Sequence, residues 1–279
     1  MQDERTILKI ANIFLHGTAG ACLAVLHTRE AIYKIRTSYY YTRMVGIVDY
    51  NAGNIKSVEH ALQSLGVPYT VSKRPSELAR CTRLIVPGVG EASYAMHELS
   101  RTGFDSFLKD WNAAHKPILG ICLGSQIIFD YSEEGETACL GLVKGNVITF
   151  SSLWHNEGNA AASLKVPHMG WNDLTYANGT SSLLAGVDEH SDFYFVHSYV
   201  MQPEDASVVK AYTNYGGTVP AVIESGSVAA FQFHPEKSGA NGLTLLANYC
   251  RDAIAYRSEN RDAENLAEGE RTKGGDVLC

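Results

Sequence analysis

Residues 117–129 read Pro-Ile-Leu-Gly-Ile-Cys-Leu-Gly-Ser-Gln-Ile-Ile-Phe, an apolar run that reaches a cysteine held between two glycines. An apolar segment able to form a helix follows directly. The pattern is typical of a nucleophile elbow, the strand-to-helix turn G-x-S-x-G with cysteine replacing serine. The glycines are needed because so tight a turn brings backbone against the Cβ of the nucleophile. A thiol at a helix N-terminus is also stabilised as thiolate. The competing interpretation of Cys122 is a buried structural cysteine, and the partner residues must decide.

Composition narrows the class of protein. The chain has 279 residues and a net charge of −7, which argues against a general nucleic-acid binder. No uncharged apolar run reaches the roughly 18 residues of a membrane-spanning helix, so we expect a soluble, cytoplasmic protein. The cysteines form no CxxC pair, which favours a reducing compartment over a disulfide framework and gives no zinc site. They are Cys22, Cys81, Cys122, Cys139, Cys250 and Cys279.

The two ends of the chain differ from its middle. Residues 1–43 lack clean periodicity, and Met44 begins a segment that reads as a buried strand. We interpret 1–43 as an upstream extension or misplaced start, with an organelle transit peptide or a folded addition as alternatives. Residues 257–279 are polar and charged, and we expect disorder there. The functional domain is therefore predicted at 44–256.

Strand and helix signals alternate after Met44. A helix is predicted where Ile55, Val58, Leu62 and Leu65 share one face, with Gly66 after its end. Further segments are a helix at 91–99 and strands at 44–49, 67–71, 84–86 and 118–121. Alternation of this kind predicts an α/β fold with a central, mostly parallel sheet flanked by helices, whose ligands bind at the carboxyl ends of the strands. Cys122 lies at such an end.

After about residue 140 the pattern changes to shorter β-rich segments. These predict strands that extend the same sheet in antiparallel or mixed fashion. Residues 151–165 read as a polar loop, and 242–256 as a closing helix. The predicted strands are 142–150, 193–200, 207–212, 219–223 and 227–233.

A cysteine nucleophile needs a base and a group that orients the base. Of ten histidines, sequence context leaves His168, His197 and His234 as candidates. The strongest context is 231–237, Phe-Gln-Phe-His-Pro-Glu-Lys, in which a β run carries His234 to a strand end. Glu236 lies two residues on, within reach of the imidazole, where a carboxylate fixes the tautomer and stabilises the imidazolium. An incidental His-Pro turn is the alternative for this pair alone.

The motifs Gly-Ile-Cys-Leu-Gly-Ser-Gln and Phe-His-Pro-Glu resemble those of the class I, or triad, glutamine amidotransferases. Other stretches narrow the resemblance to the glutaminase subunits of imidazole glycerol phosphate synthase, over about Met44 to Tyr256. They are 49–54 (Asp-Tyr-Asn-Ala-Gly-Asn), 87–90 (Pro-Gly-Val-Gly), 166–172 (Val-Pro-His-Met-Gly-Trp-Asn), 194–199 (Tyr-Phe-Val-His-Ser-Tyr) and 234–239 (His-Pro-Glu-Lys-Ser-Gly). Ser125 and Asn51 depart from the family pattern, and neither belongs to the triad.

The resemblance implies roles for these residues. Cys122 would attack the side-chain amide of glutamine, His234 would protonate the departing ammonia and later activate water, and Glu236 would orient His234. The oxyanion would be held by the backbone N–H groups of Leu123 and Val89. The glycines around Val89 let a peptide turn over, and the family segment is thought to stay inactive until the partner is loaded.

By the same resemblance, the glutamine pocket comprises Gly90, Gln126, Glu134, His197 and Ser198. Glu134 is assigned on a short stretch in which Glu133 is adjacent. Trp171, Asn172, Tyr194 and Lys237 match positions at an interface, and a core tryptophan is the alternative for Trp171. His168 is interpreted as structural, bonding within its loop.

The implied partner is a (β/α)₈-barrel cyclase subunit, expected as a separate polypeptide that converts the ammonia and a ribotide into imidazole glycerol phosphate. We expect neither metal nor organic cofactor. Two alternatives stay open: a triad glutaminase serving another synthase, and a regulatory binding module on the same fold. The segment Pro-His-Met-Gly-Trp-Asn disfavours the first alternative, and the complete Cys, His and Glu set disfavours the second.

Overall fold

The structure is a computed structural model that describes residues 44–51, 53–159, 164–177 and 181–251. The predictions for 1–43 and 257–279 lie outside these ranges. In the described part the strands are β1 (Val45–Val48), β2 (Tyr69–Ser72), β3 (Arg83–Gly88), β4 (Ile118–Cys122), β5 (Tyr131–Ser132), β6 (Thr137–Ala138), β7 (Gly145–Thr149), β8 (His168–Asp173), β9 (Thr175–Tyr176), β10 (Asp192–His197), β11 (Tyr199–Pro203), β12 (Val209–Asn214), β13 (Thr218–Ser225) and β14 (Val228–Phe231). The α-helices there are α1 (Ile55–Ser64), α2 (Pro75–Leu78), α3 (Ala92–Thr102), α4 (Phe104–Ala113), α5 (Leu123–Gln126), α6 (Phe150–Asn156) and α7 (Gly239–Tyr249).

A large central sheet organises this part of the chain. Its described strands follow the order β2-β1-β3-β4-β14-β13-β12-β9. The pairings from β2 to β14 are parallel, whereas β13, β12 and β9 are added antiparallel. The predicted α/β fold, with a mostly parallel sheet extended by antiparallel strands, is confirmed.

The sheet separates two apolar cores because successive strand residues point to opposite faces. On β3, Ile85 joins the core that contains residues of α1 and α7. Its neighbours Leu84 and Val86 join the other core, with residues of α3 and α4. Helices therefore cover both faces of the parallel strands, which explains why β1, β3 and β4 are buried along their whole length.

Some later strands leave the central sheet, and the prediction that all of them extend it was wrong. β8 pairs antiparallel with β10, and β11 pairs with β7 in a sheet that also contains β5 and β6. The strand predicted at 193–200 is two strands, β10 and β11, which part at Ser198. The ring of His197 donates from Nδ1 to the Tyr199 carbonyl at 2.7 Å. This local bond holds a bend that a continuous β-rich run does not reveal.

Several helices also differ from the prediction. The polar loop predicted at 151–165 begins with α6, whose N-cap Thr149 accepts a hydrogen bond from the Ser152 N–H. Phe150, Leu153 and Trp154 of α6 are buried, although the serines between them make the segment read as polar. Helix α4, at Phe104–Ala113, was not predicted either. The apolar segment after Cys122 is helical only through the four residues of α5.

Two glycines allow β3, β4 and α5 to pack in contact. A Cβ atom built on Gly124 would lie 1.8 Å from the carbonyl oxygen of Val86, and one on Gly120 would lie 2.5 Å from the oxygen of Gly124. Such separations are far inside van der Waals contact, and the obstructing atoms are backbone, which cannot move aside cheaply. The turn that carries Cys122 therefore requires glycine on both sides.

We predict that Gly124→Ala lowers the free energy of unfolding by about 3 kcal/mol, because β3 and the elbow must separate to admit one methyl group. Urea unfolding followed by circular dichroism measures the change. Gly53→Ala is the control, since a Cβ there meets the Pro87 ring at 3.3 Å and no backbone atom closer than 3.5 Å. Equal stability of the two variants would contradict the argument.

Candidate active site

Cys122 is the last residue of β4 and the N-cap of α5, with φ 54° and ψ −114°. Positive φ is strained for a residue with a Cβ, and strain of this kind is typical of a nucleophile at a strand-to-helix turn. The hydroxyl of Ser125 donates to the Cys122 carbonyl at 2.6 Å, which closes the turn from inside. Ser125, a departure from the family pattern, thus supports the elbow.

His234 and Glu236 reach the same place from the far end of the sequence. β14 lies parallel to β4 with Phe231 opposite Ile121, so the residues after each strand emerge side by side. Nδ1 of His234 bonds to Oε1 of Glu236 at 2.8 Å, and their side chains are 3% and 1% exposed. Since a carboxylate only accepts, Nδ1 carries the proton and Nε2 is the nitrogen left for chemistry.

The charge state of His234 follows from its surroundings. Burial alone would lower its pKa, but the Cys122 sulfur and the Glu236 carboxylate outweigh burial and raise the pKa to about 9. The Cys122 sulfur lies 3.6 Å from the Val196 carbonyl oxygen, and Nε2 of His234 has no hydrogen-bond partner among the described residues. The imidazole is therefore protonated at neutral pH, with Nε2 free to give its proton to a bound group.

A cavity of about 310 Å³ adjoins these residues. All the residues predicted for the glutamine pocket and the oxyanion contribute to its wall, as do Cys122 and His234. The wall also contains three residues for which no role was predicted, although they lie within the quoted motifs: Pro167, Val196 and Tyr199. The lining residues are Val89, Gly90, Cys122, Leu123, Gln126, Glu134, Pro167, Val196, His197, Ser198, Tyr199 and His234.

Two adjacent glutamates have different positions. Glu134 lines the cavity and accepts a hydrogen bond from the Ala92 N–H, the first residue of α3, at 2.8 Å. Burial and the nearby Glu91 raise the pKa of Glu134, and the Ala92 bond opposes that rise. Glu133 instead caps α6, accepting from the Thr149 N–H at 2.6 Å and from the Ser152 hydroxyl. Of the two, only Glu134 lines the cavity.

Gln126 occupies the floor of the cavity one turn after Cys122. It is 4% exposed, and its Nε2 donates to the Tyr199 carbonyl and to Oε1 of Gln232, both at 3.0 Å. These bonds fix the amide, so its position is set before any ligand arrives. The bond to Tyr199 also ties α5 to the start of β11.

Three of the predicted interface residues form a group beside His234. The rings of Trp171 and Tyr194 meet edge to face at 5.9 Å, and Nζ of Lys237 lies 5.8 Å from the Tyr194 ring centroid. Tyr194 is also the residue whose carbonyl accepts from the His234 N–H. Trp171 is 55% exposed, so the alternative of a core tryptophan was wrong.

The fourth predicted interface residue, Asn172, bonds to Nε2 of His168 at 2.8 Å. His168, interpreted as a structural residue bonding within its loop, does bond to Asn172 in the same segment, but the segment is a strand and a second partner lies outside it. His168 lies in β8 opposite His197, and the two rings bond at 3.0 Å. The bond between His168 and His197 depends on the pairing of β8 with β10, and the spacing of residues along the sequence does not predict that pairing.

Two features are absent from the described ranges. No three His, Cys, Asp or Glu side chains there come together as a metal ion would require. Across the same residues, none of the helices has the length and apolar character to cross a membrane.

Comparison with known proteins agrees with the geometry. The family model described as glutamine amidotransferase class-I matches residues 46–253. The chain belongs to the class-I glutamine amidotransferases. Within this family it is 48% identical over 207 residues to imidazole glycerol phosphate synthase subunit HisH of Geobacillus thermodenitrificans, covering 74% of this chain and 94% of the relative. It is 45% identical to the HisH subunit of Halalkalibacterium halodurans, with the same coverage.

Solved structures support the fold of this amidotransferase. A structure described as glutamine amidotransferase superposes with a TM-score of 0.57 at 20% identity, covering 76% of this chain and 98% of that one. PurLQS from Thermotoga maritima gives a TM-score of 0.57 at 19% identity, covering 75% and 98%. At these identities the agreement concerns architecture alone.

We predict that kcat/KM for glutamine falls as pH rises through about 9, because His234, with its raised pKa, then loses the proton that ammonia must receive. Glu236→Gln removes one cause of the raised pKa, so the alkaline limb should move down by about one pH unit or more. Initial rates measured over a series of pH values give the position of the alkaline limb in the wild type and in the Glu236→Gln variant.

Asp173→Asn is the matched control. Its carboxylate holds His190 at 2.7 Å in an exposed pair that does not line the cavity, so the limb should stay in place. An unmoved limb in Glu236→Gln would show that His234 is not the acid.

Proposed function

We propose that this chain is the glutaminase subunit of an imidazole glycerol phosphate synthase, acting in the cytoplasm with a cyclase subunit as partner in histidine biosynthesis. It hydrolyses glutamine to glutamate and ammonia and passes the ammonia to the cyclase. The observation that carries the proposal is the buried pair of His234 and Glu236, bonded at 2.8 Å beside a cavity that also contains Cys122. The names of the HisH relatives favour this partner over another synthase.

The proposed reaction begins with Cys122 and His234 as thiolate and imidazolium. The sulfur attacks the side-chain amide carbon of glutamine, and the carbonyl oxygen becomes an oxyanion. His234 gives its Nε2 proton to the nitrogen, which leaves as ammonia, and a glutamyl thioester remains. His234 then takes a proton from water, which attacks the thioester and releases glutamate and the thiolate.

Two backbone donors are proposed to hold the oxyanion. Leu123 follows the nucleophile at the start of α5, and Val89 follows the end of β3; both line the cavity. The segment around Val89 has room to reorient, since Gly90 has φ +100° and a Cβ there would meet nothing within 4 Å. Rotation of this segment when the partner docks would add the second donor. Before docking this donor is missing, so glutamine is not hydrolysed without the partner.

The proposed pocket fits the polar ends of glutamine. Glu134 supplies a carboxylate for the α-ammonium, and its position is fixed by the Ala92 bond. Gly90, Gln126, His197 and Ser198 line the same cavity and are proposed to hold the remaining groups. The cavity of about 310 Å³ lies at the small end of the range for ligand sites, as suits one amino acid.

An exposed apolar surface near the cavity is proposed to bind the cyclase. It comprises Val89, Leu164, Val166, Met169 and Trp171, which are between 41% and 62% exposed. Val89 lines the cavity and Val166 precedes the lining residue Pro167, so this surface is continuous with the cavity rim. Apolar side chains grouped in this way are typical of an interface. Asn172, Tyr194 and Lys237 are proposed as polar contacts at its margin.

The proposal predicts that glutamine turnover rises about 10²-fold or more when the cyclase and its ribotide ligand are added, since the second oxyanion donor is then supplied. Initial rates of glutamate formation measure it. Cys122→Ala should abolish glutamine use while the complex still works from ammonium salts. Equal turnover with and without the cyclase would favour a different partner, and no turnover under any condition would favour a binding module.

The two adjacent glutamates provide a matched pair for the pocket. Glu134→Gln should raise KM for glutamine about tenfold or more with a smaller change in kcat, because it removes the charge opposite the α-ammonium. Glu133→Gln should leave KM unchanged and lower stability by about 1 kcal/mol, since Glu133 caps α6. Steady-state kinetics and thermal melting compare them, and the reverse result would assign the wrong glutamate to the pocket.

A further inference from the structure

A pair of buried histidines adjoins the cavity, and neither ring takes part in the proposed proton transfers. His168 and His197 face each other across β8 and β10, 0% and 5% exposed, with Nδ1 of His168 and Nε2 of His197 3.0 Å apart. The His168 ring stacks between Phe195 and Tyr215, with centroids at 4.9 and 4.0 Å. Both rings are therefore fixed, and only their protons remain to be assigned.

Hydrogen-bond partners decide where those protons lie. Nδ1 of His197 bonds to the Tyr199 carbonyl, which only accepts, so this nitrogen carries the proton. Burial lowers the pKa of His197 to about 3, against the effect of the Tyr199 bond and together with the nearby His168 and His234. The ring is neutral, and its Nε2 must accept from Nδ1 of His168. Each ring thus carries a proton on Nδ1.

Two hydrogen-bond acceptors then lie next to the side-chain amide of Asn172. Burial lowers the pKa of His168, so its ring is neutral and its Nε2 is an acceptor. Oδ1 of Asn172 lies 2.8 Å from that nitrogen, and Nδ2 of Asn172 lies 3.2 Å from the exposed Asn214 carbonyl oxygen. Its NH₂ group can serve only one of these acceptors, and amide oxygen and nitrogen are interchangeable in shape. Water can replace the bond at Asn214 but not the bond at buried His168, so the NH₂ group belongs to His168.

We propose that Asn172 and His168 are positioning residues for glutamine binding, Asn172 orienting His168, and His168 holding His197 and the segment 196–198 in the binding geometry. The inference rests on the proposed function, since it concerns the same pocket. The segment has direct contact with the site: the Val196 carbonyl oxygen lies 3.6 Å from the Cys122 sulfur, and His197 and Ser198 line the cavity.

The arrangement also connects the cavity to the surface. Asn172 follows Trp171, an exposed residue of β8, and its oxygen points outward when its NH₂ group faces His168. No charged side chain bonds to either ring among the described residues, and the aromatic groups packed on them are Phe150, Phe195 and Tyr215. Contacts made at Asn172 therefore reach His197 through hydrogen bonds alone.

Titration calorimetry of L-glutamine with the full chain carrying Cys122→Ala, which prevents turnover, tests the inference without the cyclase. Adding His168→Phe keeps the stacking but removes both bonds, and should weaken Kd about tenfold. Adding Asn172→Ala should weaken Kd about threefold or more, whereas Asp173→Ala, the next residue of β8, should leave it within about twofold. An unchanged Kd in a folded His168→Phe variant would overturn the inference.

Failure of His168→Phe to show cooperative thermal unfolding leaves Asn172→Ala to decide, since Asn172 is only half-buried. No glutamine binding to the Cys122→Ala chain would contradict the proposed function instead, and imidazole ¹⁵N NMR of the wild-type chain then tests the inference. Protons on Nδ1 alone in both rings at pH 7 support it. A proton on Nε2 of His197, or on both nitrogens of His168, would overturn it.

Discussion

The parallel pairing of β4 with β14 is the contact on which the active site depends. It places Ile121 opposite Phe231, so that the chain leaves both strands at one edge of the sheet and carries Cys122 and His234 to the same cavity. Hydrophobic burial on both faces stabilises these strands. The packed core therefore holds the strand ends at the site in fixed positions. Cys122 is the last residue of β4, and His234 follows the end of β14 after Gln232 and Phe233.

Electrostatics within the site follow from burial. The carboxylate of Glu236 is 1% exposed and would be unfavourable there without the imidazole that it contacts. The Glu236 carboxylate and the His234 imidazolium thus stabilise each other. Removing the imidazole would leave the carboxylate as an unpaired buried charge, which is strongly unfavourable.

The sequence predicts the candidate catalytic side chains better than their surroundings. Cys122, His234 and Glu236 are recognisable because local rules apply: glycines beside a sharp turn, a proline after a strand, and a carboxylate two residues away. The parting of β10 and β11 at Ser198 and the bond between His168 and His197 depend on which strands pair, and α6 is disguised by the serines of its exposed face. Glu133 and Glu134 illustrate the limit, since they are chemically identical and only the folded structure shows that Glu133 bonds at the start of α6, whereas Glu134 bonds at the start of α3 and lines the cavity.

The backbone at Cys122 has a consequence for evolution. A φ of 54° is unfavourable for cysteine and ordinary for glycine, so the native fold holds the Cys122 sulfur in place at the expense of stability. Replacement by glycine would relax the turn and remove the proposed nucleophile in one step. A library of variants selected for thermal stability alone would therefore enrich glycine at this position. The most stable variants in it would be unable to hydrolyse glutamine.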